Sequence, residues 1–251
     1  MRFGRRLFML LLAPLTLVGC KLYEAPIYQR VATKSDSRAV KVLFIGNSLT
    51  YYNDLAGLVQ AFAAHEEHPL YIDAVTFPLA SLDWHWNHTK ARQKIAEGDW
   101  NYVILQQFST APADHPKETV EQYERFAPEV ARVGAKPIIF QNWTHEGREA
   151  DYDRMLKTYR EVQGAIGGTI APIGEAWRMC RREHPEIEMF EDDRHPTVAG
   201  TYLTACVLYR VLYGKPATGL PVEIKGLKLK PEVARVLQRV ADQVQVVPVG
   251  R

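Results

Sequence analysis

The stretch VLFIGNSLTYYND, residues 42–54, begins as an apolar run, stops at Gly46 and presents Ser48 before sequence that favours a helix. An apolar run that ends at a glycine predicts a buried strand turning directly into a helix. Ser48 or Thr50 could cap that helix, because serine and threonine often accept hydrogen bonds at helix starts. A serine presented at the end of a strand could also be a catalytic nucleophile. The stretch alone favours the capping role, so other segments must distinguish the two.

The alternation of strand and helix continues along the chain. Short apolar runs predict strands at residues 40–46, 70–77, 102–107, 136–143 and 168–174. Amphipathic segments predict helices at residues 55–66, 82–97, 117–132, 151–164 and 174–183. Strands joined by helical crossovers form a parallel sheet covered on both faces, which predicts an α/β, three-layer α/β/α sandwich with a doubly wound five-stranded sheet. Ligands bind such sheets beyond the carboxyl ends of the strands, which is where Ser48 lies.

The start of the chain has the features of a secretory signal. MRFGRR carries three arginines, LFMLLLAPLTLV is an apolar stretch of 12 residues, and LVGC follows at once. A membrane-spanning helix needs about 20 apolar residues, so a simple transmembrane anchor is disfavoured. The order Leu17-Val18-Gly19-Cys20 resembles a bacterial lipoprotein box, which implies lipid attachment to Cys20. An ordinary signal peptide with a chance cysteine is the alternative.

The lipoprotein interpretation divides the chain into a signal peptide (1–19), a polar tether (20–39) and a single domain (40–251). Acyl chains on Cys20 would hold the domain on a membrane surface of the bacterial cell envelope. Lys21 follows in place of the aspartate that often retains such proteins at the inner membrane. By resemblance to lipoprotein sorting, we expect the periplasmic face of the outer membrane.

The charge balance gives no support to a nucleic-acid partner. The chain has 31 Lys and Arg against 29 Asp and Glu, and losing the three arginines of residues 1–19 leaves a net charge of −1. No Gly-x-x-x-x-Gly-Lys or Gly-x-Gly-x-x-Gly run follows a predicted strand, so neither a phosphate site nor a dinucleotide cofactor is expected.

Two further pairs of residues suggest redox or metal chemistry. Cys180 and Cys206 could form a disulfide in an oxidising compartment, although a buried thiol is equally consistent with the apolar helical pattern around Cys206. His85 and His88 lie at helical spacing near Asp83 and could ligate a metal. No third ligand follows at a recognisable spacing, so we expect no metal and no cofactor.

A distant segment, FEDDRHPTVAG at residues 190–200, supplies a candidate base and acid. Asp192 lies three residues before His195, so its carboxylate could hold one imidazole nitrogen while the other faces a nucleophile. Asp193 lies two residues from the histidine and ranks second. The same segment could also be a solvated acidic loop in which Thr197 caps the next helix.

The chain resembles the SGNH, or GDSL-type, hydrolase superfamily through two blocks, Gly46-Asn47-Ser48-Leu49 and Asp192-x-x-His195-Pro196. The resemblance spans residues 41 to about 214. It implies a flavodoxin-like sheet and hydrolysis of esters of lipids, sugars or other small acyl groups. It also implies that Ser48 is the nucleophile, His195 the general base and Asp192 its partner. Asn47 stands where the family's motif has an aspartate.

The expected oxyanion donors depart from the family pattern. The first is the backbone N–H of Ser48, at the start of a helix. The family takes a second from a glycine after the second strand, where this chain has Pro78-Leu79-Ala80-Ser81. Proline has no N–H, so Leu79 or Ala80 would have to donate.

A third donor in the family is an asparagine after the third strand. Gln106 or Gln107 stands in that place, and alternation along the strand turns only one of them toward the site. We expect Gln106 to be that one. These substitutions leave the triad intact and affect the oxyanion hole alone.

Tryptophans suggest a surface for the substrate, because aromatic faces stack on sugar rings. Trp84 and Trp86, just beyond the second strand, are the best candidates for substrate binding. Trp143 and Trp177 are also possible, although such residues more often belong to the core or the rim of a site.

Two functions from different classes follow from the sequence. The favoured one is a lipid-anchored serine esterase or deacylase that cleaves a small-molecule ester or an acylated carbohydrate through an acyl-serine. The altered donor positions keep a second open: a non-catalytic envelope lipoprotein that binds a ligand or partner on the same fold.

Overall fold

The computed structural model describes residues 32–249. The predicted signal peptide, Cys20 and residues 20–31 of the predicted tether lie outside them. Within the tether, Ala32 and Ala39 are buried, and the Ala32 carbonyl accepts a hydrogen bond from Gln60 Nε2 at 3.3 Å. The end of the tether therefore packs against the domain. None of the helices in residues 32–249 is both long and apolar enough to span a bilayer.

Five parallel strands form one sheet: β1 Val40–Gly46, β2 Leu70–Thr76, β3 Tyr102–Leu105, β4 Lys136–Phe140 and β5 Thr169–Ala171. Their order is β2-β1-β3-β4-β5, and every neighbouring pair is parallel. The predicted doubly wound, flavodoxin-like sheet is confirmed. The strand order reverses between β1 and β3, and the crevice at such a point is where α/β sheets bind ligands.

Ten α-helices lie in the described part of the chain: α1 Ser48–Tyr51, α2 Leu55–Phe62, α3 Leu82–His88, α4 Ala91–Ala96, α5 Ala111–Asp114, α6 Pro116–Arg132, α7 Tyr152–Ile166, α8 Ile173–Glu183, α9 Val198–Tyr213 and α10 Pro231–Gln243. The single helix predicted at 82–97 is two helices, because Thr89 takes an extended conformation and ends α3. The strand predicted at 168–174 stops at Ala171, since Pro172 cannot donate to a ladder and α8 starts next to it.

The two faces of the sheet pack against two separate cores. Val42 and Phe44 of β1 face the core formed with α2, α8, α9 and α10. Leu43 and Ile45 face the core formed with α3, α4, α6 and α7. Because both faces are covered, consecutive strand residues are buried, which is why the strands read as unbroken apolar runs.

Cys180 and Cys206 are buried free thiols, so the open question of a disulfide is answered in favour of separate cysteines. Burial raises the pKa of Cys180 to about 12 and that of Cys206 well above its usual value. Both side chains belong to the core that contains α9.

Candidate active site

The turn after β1 presents Ser48 without using its hydroxyl as a helix cap. Asn47 caps α1 instead, with its Oδ1 accepting from the Leu49 N–H at 3.1 Å. The capping role considered for Ser48 or Thr50 is therefore wrong. Asn47 also donates through Nδ2 to the Ala80 carbonyl at 3.0 Å, which joins this turn to the one after β2.

Ser48, His195 and Asp192 form a hydrogen-bonded relay. His195 Nε2 lies 2.9 Å from Ser48 Oγ, and His195 Nδ1 lies 2.7 Å from Asp192 Oδ2. Asp193 instead pairs with the Nε of Arg194 at 2.9 Å. The structure thus brings together the three residues that the sequence singled out, although 147 positions separate the serine from the histidine.

Asp192 is held as a carboxylate. Its Oδ1 accepts from the backbone N–H groups of Arg194 at 2.8 Å and His195 at 2.7 Å. Partial burial raises its pKa, but the hydrogen bonds from the His195 side chain and from these two backbone groups outweigh that effect and bring the pKa to about 2. The loop therefore fixes both the charge and the orientation of the carboxylate.

Thr197 caps α9, with Oγ1 accepting from the Gly200 N–H at 3.2 Å. The helix-capping role predicted for Thr197 is confirmed. The same loop also carries two residues of the hydrogen-bonded relay. The loop is further held by Trp143, whose indole N–H donates to the Arg194 carbonyl at 3.0 Å. Trp143 stacks on Trp177 at 3.9 Å, and both are buried, so they support the site from the core.

Tyr52 and Asn53 complete the relay side of the site, and the sequence interpretation missed both. The Tyr52 ring stacks on the imidazole of His195, with centroids 4.3 Å apart and planes 6° apart. Asn53 Nδ2 donates to the Pro196 carbonyl and to Thr201 Oγ1, each at 3.0 Å. The polar Asn-Asp pair in the middle of a helical pattern was the one available signal, since such pairs favour turns.

The turn after β2 carries the predicted backbone donors. Ala80 N–H donates to the Phe77 carbonyl at 3.2 Å, with Pro78 and Leu79 between them. Leu79 has φ +60°, the left-handed conformation that glycine usually supplies at the third position of a type II turn. Ala80 is therefore ruled out as a free donor, whereas the Leu79 N–H makes no hydrogen bond among residues 32–249.

Gln106 is buried and braces the turn after β1. Its Oε1 accepts from the Asn47 N–H at 2.7 Å and from Thr50 Oγ1 at 3.1 Å. Its Nε2 donates to the Gln107 carbonyl and, at 3.3 Å, to Asn142 Oδ1. Both amide hydrogens are used internally, so the expected donor role of Gln106 is wrong in this structure.

Gln107 is equally buried and serves the neighbouring loop. Its Nε2 donates to Gln122 Oε1 at 2.9 Å, and its Oε1 accepts from the N–H groups of Leu82 at 3.1 Å and Phe108 at 2.8 Å. Neither glutamine therefore presents an open amide where the family's asparagine would donate.

The two candidate substrate tryptophans lie on different sides of α3. Trp84 is exposed and packs beside Phe77 and His88. Trp86 packs edge-on against Phe126, 5.2 Å between centroids, and belongs to the helical layer. The Trp86 ring is partly buried against the core, so its substrate role stays a prediction.

His85 is fully buried beneath the turn after β1 and does not converge with His88. Its Nε2 lies 2.9 Å from the Gly46 carbonyl, and its Nδ1 lies 3.1 Å from Thr89 Oγ1. Burial lowers the pKa of His85, although the bond to Gly46 opposes this shift. The neutral ring that burial favours holds the Gly46 carbonyl as an Nε2–H donor.

Gly46 itself is required by close packing. A Cβ on this residue would lie 2.4 Å from Thr50 Oγ1 and 2.6 Å from Gln106 Oε1. Only a residue without a side chain fits between strand and helix here, which explains the glycine that ends the apolar run.

Comparison with known proteins places this geometry on a known fold. No protein-family model matches the chain, and no curated protein matches its sequence. Among solved structures, a candidate SGNH hydrolase from Slackia heliotrinireducens is 22% identical with a TM-score of 0.59, covering 68% of this chain and 98% of its own. The chain has the SGNH-hydrolase fold.

Other similar solved structures have lower sequence identity. A DUF4886 family protein from Bacteroides uniformis is 20% identical, with a TM-score of 0.61, and covers 81% of this chain and 93% of its own. An acetyl xylan esterase is 10% identical, with a TM-score of 0.55, and covers 68% of this chain and 98% of its own. These likenesses establish the SGNH fold and confirm the architecture expected from the sequence.

Proposed function

We propose that this protein is a serine hydrolase that cleaves carboxylic esters through an acyl-serine intermediate. The observation that carries the proposal is the relay of two hydrogen bonds, 2.9 Å from Ser48 Oγ to His195 Nε2 and 2.7 Å from His195 Nδ1 to Asp192. The fold it shares with an acetyl xylan esterase supports an ester of a small molecule or an acylated carbohydrate as substrate.

Acylation transfers one proton and one acyl group. Ser48 Oγ attacks the acyl carbon while its proton moves to His195 Nε2, and the Asp192 carboxylate stabilises the imidazolium. The ester C–O bond then breaks, and the alcohol leaves with the proton from Nε2. Water attacks the acyl-serine in the same manner, and the acid leaves as Ser48 recovers its proton.

In this proposal, backbone N–H groups stabilise the oxyanion. The N–H groups of Ser48 and Leu79 make no hydrogen bonds among residues 32–249, so both are free to donate. A preorganised donor of this kind contributes about 3 kcal/mol to stabilising the transition state. Because any non-proline residue carries an N–H, Leu79 can replace the family's glycine in this role.

We further propose that Cys20 carries the lipid anchor and that the domain works at the periplasmic face of the outer membrane. The support is the order of charged, apolar and small residues before Cys20. Intact mass of the chain extracted from membranes tests this: we expect loss of residues 1–19 and added acyl mass, and a mature chain without acyl mass would contradict it.

A fluorophosphonate probe tests the hydrolase proposal. Such probes form a covalent bond with an activated serine, so we expect one adduct on Ser48 in the wild-type chain by intact mass and peptide mapping. The adduct should be absent in Ser48→Ala and form far more slowly in His195→Ala. Ser37→Ala, which removes an exposed serine, is the matched control and should label like the wild type.

The opposite result favours the non-catalytic alternative. If folded wild-type protein, verified by circular dichroism, forms no adduct on Ser48, the relay is not activated. The chain would then be a ligand-binding lipoprotein on the same fold.

A further inference from the structure

Exposed apolar side chains are concentrated in the turn after β2 and the start of α3. Four large hydrophobic residues within residues 32–249 are strongly exposed, and three of them lie in one short stretch: Phe77 at 46%, Leu79 at 65% and Trp84 at 41%. The fourth, Val247, lies far along the chain at 65%. Scattered exposed apolar residues are ordinary, whereas a contiguous group marks a surface that binds something. We refer to these three residues as the Phe77–Leu79–Trp84 patch.

The patch is built by specific contacts. The rings of Phe77 and Trp84 stack with centroids 5.6 Å apart, and Trp84 packs on His88 at 4.3 Å. Ser81 Oγ caps α3 by accepting from the Trp84 N–H at 3.1 Å, which fixes where the helix presents the indole.

The Leu79 side chain is exposed although its backbone conformation is strained. Its φ of +60° is a conformation that residues with a Cβ rarely adopt, and its side chain gains little burial in return. Strained residues of this kind persist mainly at functional sites. A glycine would serve the turn with less strain, so the leucine side chain points to a role of its own.

The patch is continuous with the candidate active site. Phe77 N–H donates to the Gly46 carbonyl at 3.1 Å, and Asn47 Nδ2 donates to the Ala80 carbonyl at 3.0 Å. Leu79 also carries the free N–H that the proposed mechanism uses for the oxyanion. An ester whose carbonyl oxygen binds that N–H therefore has the patch as neighbouring apolar surface.

We propose that the Phe77–Leu79–Trp84 patch binds the apolar acyl chain of the ester, so that the enzyme prefers longer acyl groups such as hexanoyl to acetyl. This inference rests on the proposed hydrolase function. A sugar would need polar side-chain partners, yet the side chains of Phe77 and Leu79 offer only carbon, and the nearby Asp83 carboxylate is paired with Arg125 at 2.6 Å. A hydrocarbon chain matches what these side chains present.

The experiment is an acyl-length series on the full chain. We expect kcat/KM for p-nitrophenyl esters to rise about twofold per methylene from acetate to hexanoate, since each methylene is half covered on an open surface. Trp84→Ala and Leu79→Gly should each lower the ratio of kcat/KM for hexanoate to that for acetate by about threefold or more. Glycine retains the N–H and adopts positive φ freely, so Leu79→Gly removes the side chain while keeping the backbone donor.

Val247→Ala is the matched control and should keep the wild-type ratio. A ratio that stays unchanged in Trp84→Ala and Leu79→Gly, or a wild type that is fastest with acetate, overturns the proposal. If those variants instead lose binding to vesicles of anionic phospholipid, or change the oligomeric state, the patch contacts a bilayer or a second copy of the chain.

Fluorophosphonate labelling distinguishes failure of the acyl-binding proposal from failure of the proposed hydrolase function. Ser48 labelled in every variant with a flat acyl-length profile leaves the hydrolase function standing and overturns acyl binding. Absence of labelling in the folded wild type overturns both.

Discussion

The two sides of the site differ in how closely they follow their sequence motifs. On the relay side, Ser48, His195 and Asp192 are joined by hydrogen bonds between their side chains, and all three are the residues that the family resemblance implies. On the donor side, a leucine replaces the glycine, and Gln106 is committed to bracing Asn47. The relay needs particular functional groups, whereas an oxyanion donor can be a backbone N–H that nearly any residue provides. Residue identity can therefore change on the donor side while the backbone keeps its shape, as the φ of +60° at Leu79 illustrates.

The largest expected effect tests whether the relay depends on side-chain chemistry. Asp192→Asn should lower kcat about 10³- to 10⁴-fold, because a neutral amide neither fixes the productive tautomer of His195 nor stabilises the imidazolium. Steady-state kinetics on an activated ester measures this. A decrease in kcat of less than about tenfold would show that the relay, like the donor side, tolerates substitution of its residues.

Asp114→Asn is the control, because it removes a carboxylate of similarly low pKa that is not part of the relay. Asp114 also has a pKa of about 2, chiefly because of its hydrogen bonds from Arg148. Both carboxyls have pKa values below the usual 3.8, so each stabilises the fold above about pH 4 and loses that contribution as the pH falls toward 2. Urea unfolding from pH 2.5 to 6 should show this dependence weakened in either variant, with kcat strongly reduced only in Asp192→Asn.

A smaller effect is expected at His85, which donates a hydrogen bond to the Gly46 carbonyl. The same carbonyl also accepts a hydrogen bond from Phe77 in the turn after β2. His85→Leu should lower kcat about tenfold with little change in KM, because the Gly46 carbonyl loses one of its two donors and the turn that carries Ser48 shifts. His85→Gln should recover most of the loss, since its amide nitrogen reaches to a similar place. His184→Leu, at the partly exposed end of α8, is the control.

Equal kcat values for His85→Leu and His85→Gln would show that the ring acts by volume alone. The two sides of the site would then be independent. Thermal unfolding of both variants separates a local shift of the turn from general destabilisation.

The smallest effect is expected at Asn53, which ties the nucleophile segment to the histidine segment. Asn53→Ala should lower kcat about fivefold, because the hydrogen bonds to Pro196 and Thr201 are lost. Asn53→Gly loses the same bonds but relieves the positive φ of 50°. Similar kcat values in both variants would assign the effect to the hydrogen bonds, and recovery in the glycine variant would assign it to strain.

Much of the site could be predicted because local patterns specify it. The apolar run ending at Gly46 predicted the strand that presents Ser48, and the three-residue spacing predicted the Asp192 to His195 contact within one loop. The donor residues could not be predicted in this way. Whether the amide of Gln106 faces a substrate or Asn47 depends on packing between segments 59 positions apart, for which the sequence carries no periodic signal.

The sequence by itself determined the order of strands and helices, since this follows from hydrophobic periodicity. Its resemblance to a known family also singled out Ser48, His195 and Asp192, the three residues that the structure joins by hydrogen bonds. The tertiary structure alone decided that Tyr52 stacks on His195, that His85 holds Gly46, and that Leu79 takes a glycine-like conformation. Each of these depends on contacts between segments that meet only when the parallel strands align their carboxyl ends.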